Sequence, residues 1–145
     1  MNECCPISRE MVNENVVRLN AFFVFIIGLV FVIQPSSVLI AFLLIDFFIR
    51  AFWQQKLSPI RFASLSVNKA LKWTPAMVNA APKVFAAKIG FFFCLIILIV
   101  SLIPAAHLVS RLLMALLMLF AALESFFKYC VGCKMYSIYF RLFQK

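Results

Sequence analysis

Polar and apolar positions sort this chain into four long apolar runs, one long polar stretch and two polar ends. Residues 1–15 are polar. An apolar run follows from Val16 to Ile33, interrupted only by Arg18 and Asn20 near its start, and Pro35 marks its end. Ser36-Ser37 then introduces a second run, Val38 to Trp53. The connection is so short that two helices here must form an antiparallel hairpin. Both runs fall slightly under the roughly 20 residues that a spanning helix needs, so their polar ends are expected to be drawn to the interface. Pro82 opens a third run through Val84 to about Leu102, Pro104-Ala105-Ala106 makes a tight turn, and His107 to Tyr129 is the fourth run. The expected fold is all-α, a four-helix transmembrane bundle forming a single integral membrane domain, with spans near 16–34, 37–54, 83–103 and 107–129.

The long polar stretch, Trp53 to Lys83, carries Lys56, Arg61, Lys69, Lys72 and Lys83. Ser58-Pro59 and Thr74-Pro75 each read as an N-cap followed by proline at the first helical position. Between them Ala63, Val67, Ala70 and Leu71 recur at helical spacing, while Phe62 and Leu65 fall on the lysine side. Two readings stay open: a basic amphipathic helix on the membrane surface and a solvated connector. The tail, Lys134 to Lys145, interleaves Tyr136, Tyr139, Phe140 and Phe143 with Arg141 and Lys145, as suits an interfacial helix. No internal repeat is evident.

Composition agrees with the pattern. Hydrophobic residues make up 66% of the 145, including 18 Phe, more than a soluble domain of this size could bury. The net charge is +9. In a soluble protein that would raise nucleic acid as a partner. Here the basic residues flank apolar runs and no nucleic-acid motif accompanies them, so the bilayer is the expected partner. Residues 1–14 lack a basic segment ahead of an apolar core, so the runs are expected to persist in the mature protein. The two hairpin tips, residues 34–37 and 103–111, hold one basic residue, Arg111. Arg9, Arg18, the 53–83 stretch and the tail lie on the other side. The positive-inside rule places that side, with both termini, in the cytoplasm of a multi-pass inner (plasma) membrane protein.

Ionisable residues recur inside the runs. Asp46 and Arg50 are spaced i, i+4, and Glu124 and Lys128 repeat the spacing; acid before base is the favourable order on a helix. Lys88 lies about two turns into the third run. Such groups are costly in hydrocarbon and either fix helix register or mark function. Asp46, Arg50 and Lys88 are candidate binding residues, and Glu124 is a candidate proton acceptor for a nearby thiol.

That thiol belongs to Cys130-Val131-Gly132-Cys133, where the last run meets the basic tail. Three readings compete for the pair: redox or sulfur-transfer chemistry, a four-sulfur zinc site shared with Cys4 and Cys5, and small apolar residues at a helix end. Lys128, Lys134 and the start of a tail helix would favour thiolate, and Gly132 would let the backbone turn. Adjacent Cys4-Cys5 is poor geometry for two ligands on one zinc. Cys94 belongs instead to a small-residue stripe with Ala87, Gly90 and Ser101, which suits close helix packing. His107 is expected at the interface. No His cluster, catalytic triad, phosphate loop or dinucleotide fingerprint is present, so no cofactor is expected.

"CPISREMVNENVVRLNAFF", Asp46-x-x-x-Arg50, "APKVFAAKIG" and "YCVGCKMY" together resemble a bacterial integral-membrane family labelled domain of unknown function 4395. The resemblance covers nearly the whole chain. It implies association with thioredoxin-like or rhodanese-like proteins, and hence thiol or sulfur chemistry. Cys4 stands as an extra residue before the Cys5-Pro6 of the motif, which gives Cys5 the larger role. The leading expectation is a cytoplasm-facing thiol-disulfide or sulfur-relay protein, with Cys130 and Cys133 as the active pair, Cys5 exchanging with them and Glu124 managing a proton. The alternative is a small permease or channel subunit for a sulfur compound or ion, its path lined by Asp46, Arg50, Lys88 and Glu124.

Overall fold

The computed structural model describes residues 11–53 and 57–143. Six α-helices account for most of them: α1 (Glu14–Ile33), α2 (Ser37–Phe52), α3 (Pro59–Leu71), α4 (Ala80–Ser101), α5 (His107–Phe127) and α6 (Val131–Phe143). Two three-residue strands, β1 (Met11–Asn13) and β2 (Met77–Asn79), pair antiparallel with Val12 opposite Val78. The class is all-α, as expected, but the helix count is six rather than four.

Three stretches are long and apolar enough to cross a membrane: α1, α4, and α5 with the short 3-10 turn that precedes it. This marks the chain as a membrane protein. The second predicted span is α2, whose 16 residues rise only about 24 Å, short of a hydrocarbon core of about 30 Å.

The helix starts explain the ribbon. Asn13 and Asn79 are both N-caps, their side chains accepting from the amides of Asn15 and Ala81 at 3.1 and 3.0 Å. Each asparagine closes the tripeptide Met-Val-Asn, and the two tripeptides are the paired strands. Helices α1 and α4 therefore both begin at this ribbon. Gln34-Pro35-Ser36 turns α1 into α2, and Pro104–Ala106 turns α4 into α5. The bundle thus has a ribbon end and a hairpin end.

Packing follows a two-fold plan that the sequence pattern did not reveal. Helix α1 packs mainly on α5 and α2 mainly on α4, while α3 leans on α1 as α6 leans on α4. Exchanging the halves, strand–long helix–second helix–short helix, maps these contacts onto one another. The core of the hairpin half is mainly apolar: Phe31, Ile40, Leu43, Cys94, Ile97 and Met114 are all fully buried, with Ser110 beside them donating to the His107 carbonyl at 2.9 Å.

The connector is a helix, α3, begun by Ser58 and Pro59 as predicted, with Ser58 Oγ accepting from the Arg61 amide at 3.2 Å. Its inward face differs from the expected stripe. Ile60, Ser64 and Asn68 are buried, whereas Ala70 and Leu71 are exposed. The reason is a tether. Asp46, fully buried on α2, accepts from Ser58 Oγ and from the Ile60 amide, and so rotates the start of α3 inward. Thr74-Pro75 starts no helix; the chain there runs extended into β2, and the Ala76 carbonyl accepts from the Glu14 amide at 2.7 Å.

Candidate functional site: a thiol pair at the rim of an apolar cavity

Helix α5 ends in the left-handed residue Lys128 (φ 56°), and α6 starts three residues later. Cys130 caps that start. Its carbonyl accepts from the Lys134 amide at 3.1 Å and its Sγ accepts from the Cys133 amide at 3.3 Å. The spacing Cys-x-x-Cys is therefore an N-cap and the third helical residue, which puts both sulfurs on the first turn. Both thiols are free and hydrogen-bonded to one another; Cys130 is buried and Cys133 is half-buried.

Gly132 serves a different purpose from the one predicted. Its φ is not positive. A Cβ placed on it would lie 2.5 Å from Ala86 Cβ and 2.8 Å from Ala86 Cα. It is glycine because the first turn of α6 presses against the backbone of α4. Phe85 stacks on Tyr136 and Tyr139 beside that contact, with ring centroids 5.5 and 6.4 Å apart.

Pressing α6 onto α4 sets the thiols beside an ion pair. Lys83 Nζ on α4 meets Glu124 Oε1 on α5 at 2.9 Å. This corrects the expected Glu124–Lys128 pair: Lys128 leaves the helix in a left-handed turn and is exposed, so it cannot face back along α5. It also corrects the source of charge near the sulfurs. Lys134 lies over the Tyr129 ring at 5.9 Å, and Lys83 is the cation that acts on the thiols. Lys83 had been read as part of the polar connector. The signal for it was present, because Lys83 lies four residues before Ala87 and so extends the stripe Ala87, Gly90, Cys94 towards the ribbon end.

The two sulfurs differ. The Cys133 thiol is held below its ordinary value, first by the hydrogen bond it accepts from Cys130, then by the Lys83 ammonium, against burial and the Glu124 carboxylate. The Cys130 thiol is pushed up by its hydrogen bond with Cys133, by burial and by Glu124. Cys133 is thus the more readily ionised of the two, and it is also the more accessible.

A cavity of about 320 Å³ opens behind the pair. Its rim carries Lys83, Glu124, Cys130 and Gly132, and its floor is Val24, Phe93 and Leu117. Ala21, Ala87 and Ala121 leave the space by being small, Gly90 admits the Phe47 ring at its side, and Phe120 flanks it. From Lys83 to Phe93 it reaches about 15 Å along α4, into the apolar half of the helix. Arg50 also borders it, with Nη2 2.7 Å from Asp46 Oδ2 and the guanidinium 4.5 Å from the Phe47 ring centroid. The Asp46–Arg50 pair forms as its spacing predicted, but Asp46 lies outside the cavity, committed to Ser58 and α3. Lys88 is exposed and lies 5.8 Å from the Phe52 ring, also outside it. Of the predicted site residues, Cys130, Cys133, Glu124 and Arg50 converge on this end of the bundle, and Asp46 and Lys88 do not join them.

Cys4 and Cys5 lie outside the described residues, and with them two ligands of the four-sulfur alternative. Among the described residues, no group of three or more His, Cys, Asp or Glu side chains is placed to hold a metal ion. Cys94 is fully buried between helices, in the packing role its stripe indicated.

Fold and site together define an all-α membrane protein with a free thiol pair at a helix N-terminus. The chain belongs to the family described as "Domain of unknown function (DUF4395)", which it matches over residues 12–141. No curated protein and no solved structure matches it.

Proposed function

We propose that this protein is a thiol-disulfide or sulfur-relay protein of the inner (plasma) membrane that works through Cys130 and Cys133. The observation that carries the reading is their placement on the first turn of α6, free, joined by the hydrogen bond from the Cys133 amide to Cys130 Sγ and set beside the Lys83–Glu124 pair. Towards an aqueous partner, Cys133 is the exchanging sulfur and Cys130 the resolving one. A dithiol partner of the thioredoxin-like or rhodanese-like kind would meet Cys133 from the aqueous side, exchanging there with the Cys130–Cys133 disulfide and returning the pair to its reduced form. Cys5 would exchange with the pair; Met11, six residues later, is held in the ribbon at the same end of the bundle.

Four spans complete this reading. Helix α2 crosses as the partner of α1, with its exposed end residues Phe52 and Trp53 reaching the interface. Arg18 on α1 donates to the Ser125 carbonyl on α5 at 3.0 and 3.1 Å, so the starts of the first span and the end of the last share one depth. The basic residues concentrate at the ribbon end, and by the positive-inside rule this supports a cytoplasmic side for that end.

The test is thiol trapping on the full chain. Mild oxidation with diamide should close a reversible Cys130–Cys133 disulfide and leave Cys94 unmodified. Cys130→Ser should accumulate mixed disulfides through Cys133 that wild type resolves. A Cys130–Cys133 pair that never closes would end the proposal. The permease alternative draws on Arg50, Lys83 and Glu124 at the cavity, but the core beyond Phe93 is largely apolar, and its buried Ser110 is occupied by the His107 carbonyl. It predicts uptake that survives Cys130→Ser.

A further inference from the structure

Cys130 and Cys133 face different surroundings. Cys130 lines the cavity while Cys133 does not. A relay in which one sulfur meets an aqueous partner leaves the other sulfur turned towards a space inside the bundle. That space is apolar and borders three phenylalanine rings, Phe47, Phe93 and Phe120, with Phe93 and Phe120 edge to face at 6.2 Å. Its depth lies alongside residues of α1, α4 and α5 that read as membrane-spanning, which suits an occupant dissolved in the bilayer.

Charge narrows the occupant further. Both cations at the cavity are already paired, Lys83 with Glu124 and Arg50 with Asp46. An anion would have to break one of these pairs, whereas a neutral molecule would not. An acyl chain would satisfy the apolar walls but would have no use for a polar rim. A flat neutral ring with oxygen acceptors uses both features: aromatic side chains for its faces and the Lys83 ammonium for a carbonyl oxygen. The volume lies at the lower end of the range for small-molecule sites, about 300–1,000 Å³.

We infer that the cavity is a binding site for the ring of a lipid-soluble quinone, which accepts two electrons from the Cys130–Cys133 dithiol. The inference rests on the thiol reading above. As the Cys130 sulfur adds to the ring, its proton passes to the Cys133 thiolate, an S–C bond forms, and one ring oxygen takes negative charge beside Lys83. The Cys133 sulfur, losing that proton to the anionic ring oxygen, then attacks the Cys130 sulfur. The S–S bond forms and the S–C bond breaks, its electron pair returning to the ring. The second oxygen takes a proton from solution, equal to the one Cys133 released on ionising. Overall, dithiol and quinone become disulfide and hydroquinone.

The experiment uses the full chain in lipid nanodiscs, reduced, freed of reductant and kept anaerobic, with decylubiquinone as the probe. Hydroquinone should appear in step with the Cys130–Cys133 disulfide, in equal amounts. Cys130→Ser and Cys133→Ser should each abolish it. Ala121→Leu, checked for folding by its size-exclusion profile, fills the cavity and should slow the reaction about tenfold or more. Decylubiquinone should also protect wild-type Cys130 from alkylation. If diamide closes the disulfide but decylubiquinone does not, the quinone site is wrong and the thiol reading stands. If neither closes it, the thiol reading itself fails. If decane protects Cys130 as well as decylubiquinone does, the cavity is a lipid site and the inference falls.

Discussion

Cys133 should react with iodoacetamide at a lower pH than an ordinary thiol, because the bond from Cys130 and the Lys83 charge both favour its thiolate. The signs of two further changes follow. Lys83→Met removes a cation and should move the alkylation midpoint up, and Glu124→Gln removes an opposing anion and should move it down. Peptide-resolved alkylation rates across pH check both, and a midpoint unmoved by either change would leave the ion pair a structural feature only. Gly132 makes a second prediction at this scale. Gly132→Ala pushes a methyl into Ala86 and should destabilise the protein by about 1–3 kcal/mol. Ala86→Gly in the same chain should recover part of the loss, as thermal unfolding in detergent would show. The importance of Gly132 could be read from the Cys-x-Gly-Cys motif, but its reason could not. Its conformation is ordinary, and the demand comes from Ala86, 46 residues earlier in the chain.

Between elements, the Asp46 tether is the junction most exposed to mutation. Asp46 is fully buried and joins Arg50 on its own helix to Ser58 and Ile60 on the next. Asp46→Ala leaves Arg50 without its partner in a largely buried position, which costs about 3–5 kcal/mol. The loss should appear as a lower unfolding temperature and faster proteolysis between α2 and α3. Asp46→Ala with Arg50→Met should cost less than Asp46→Ala alone, since no uncompensated charge remains. The i, i+4 spacing announced this pair, whereas identical spacing at Glu124 and Lys128 misled. Periodicity reports which residues can meet on a straight helix. It does not report where the helix stops, and α5 stops at Phe127. The buried face of α3 was misread for a related reason: a hydrogen-bonded carboxylate from another helix outweighed a weak apolar stripe.

For the whole molecule, the two-fold plan and the charge distribution make one topological prediction. A reporter active only in the cytoplasm should give signal when fused to the C-terminus and none when inserted at residue 35. A silent C-terminal fusion would reverse the orientation and place the thiols in an oxidising compartment, where a stable structural disulfide would be the expected state. The same layout explains why a chain with four predicted spans presents three helices of full spanning length. Helix α2 is short, yet it lies along α4, with Phe47 filling the space that Gly90 leaves open.

The sequence by itself determined the helical class, the membrane setting, the two proline turns, the Ser58 cap, the Asp46–Arg50 pair and the position of the Cys-x-x-Cys pair at the start of a tail helix. Each is a local or compositional property: an apolar run too large for water, a residue that breaks or caps a helix, two side chains one turn apart. Tertiary structure alone decided which distant groups meet. It joined Met11–Asn13 to Met77–Asn79, set Lys83 against Glu124, pressed Gly132 onto Ala86 and left a cavity behind Cys130. Those contacts depend on how whole helices rotate and pack, which is a balance over many side chains that no short stretch of the chain encodes.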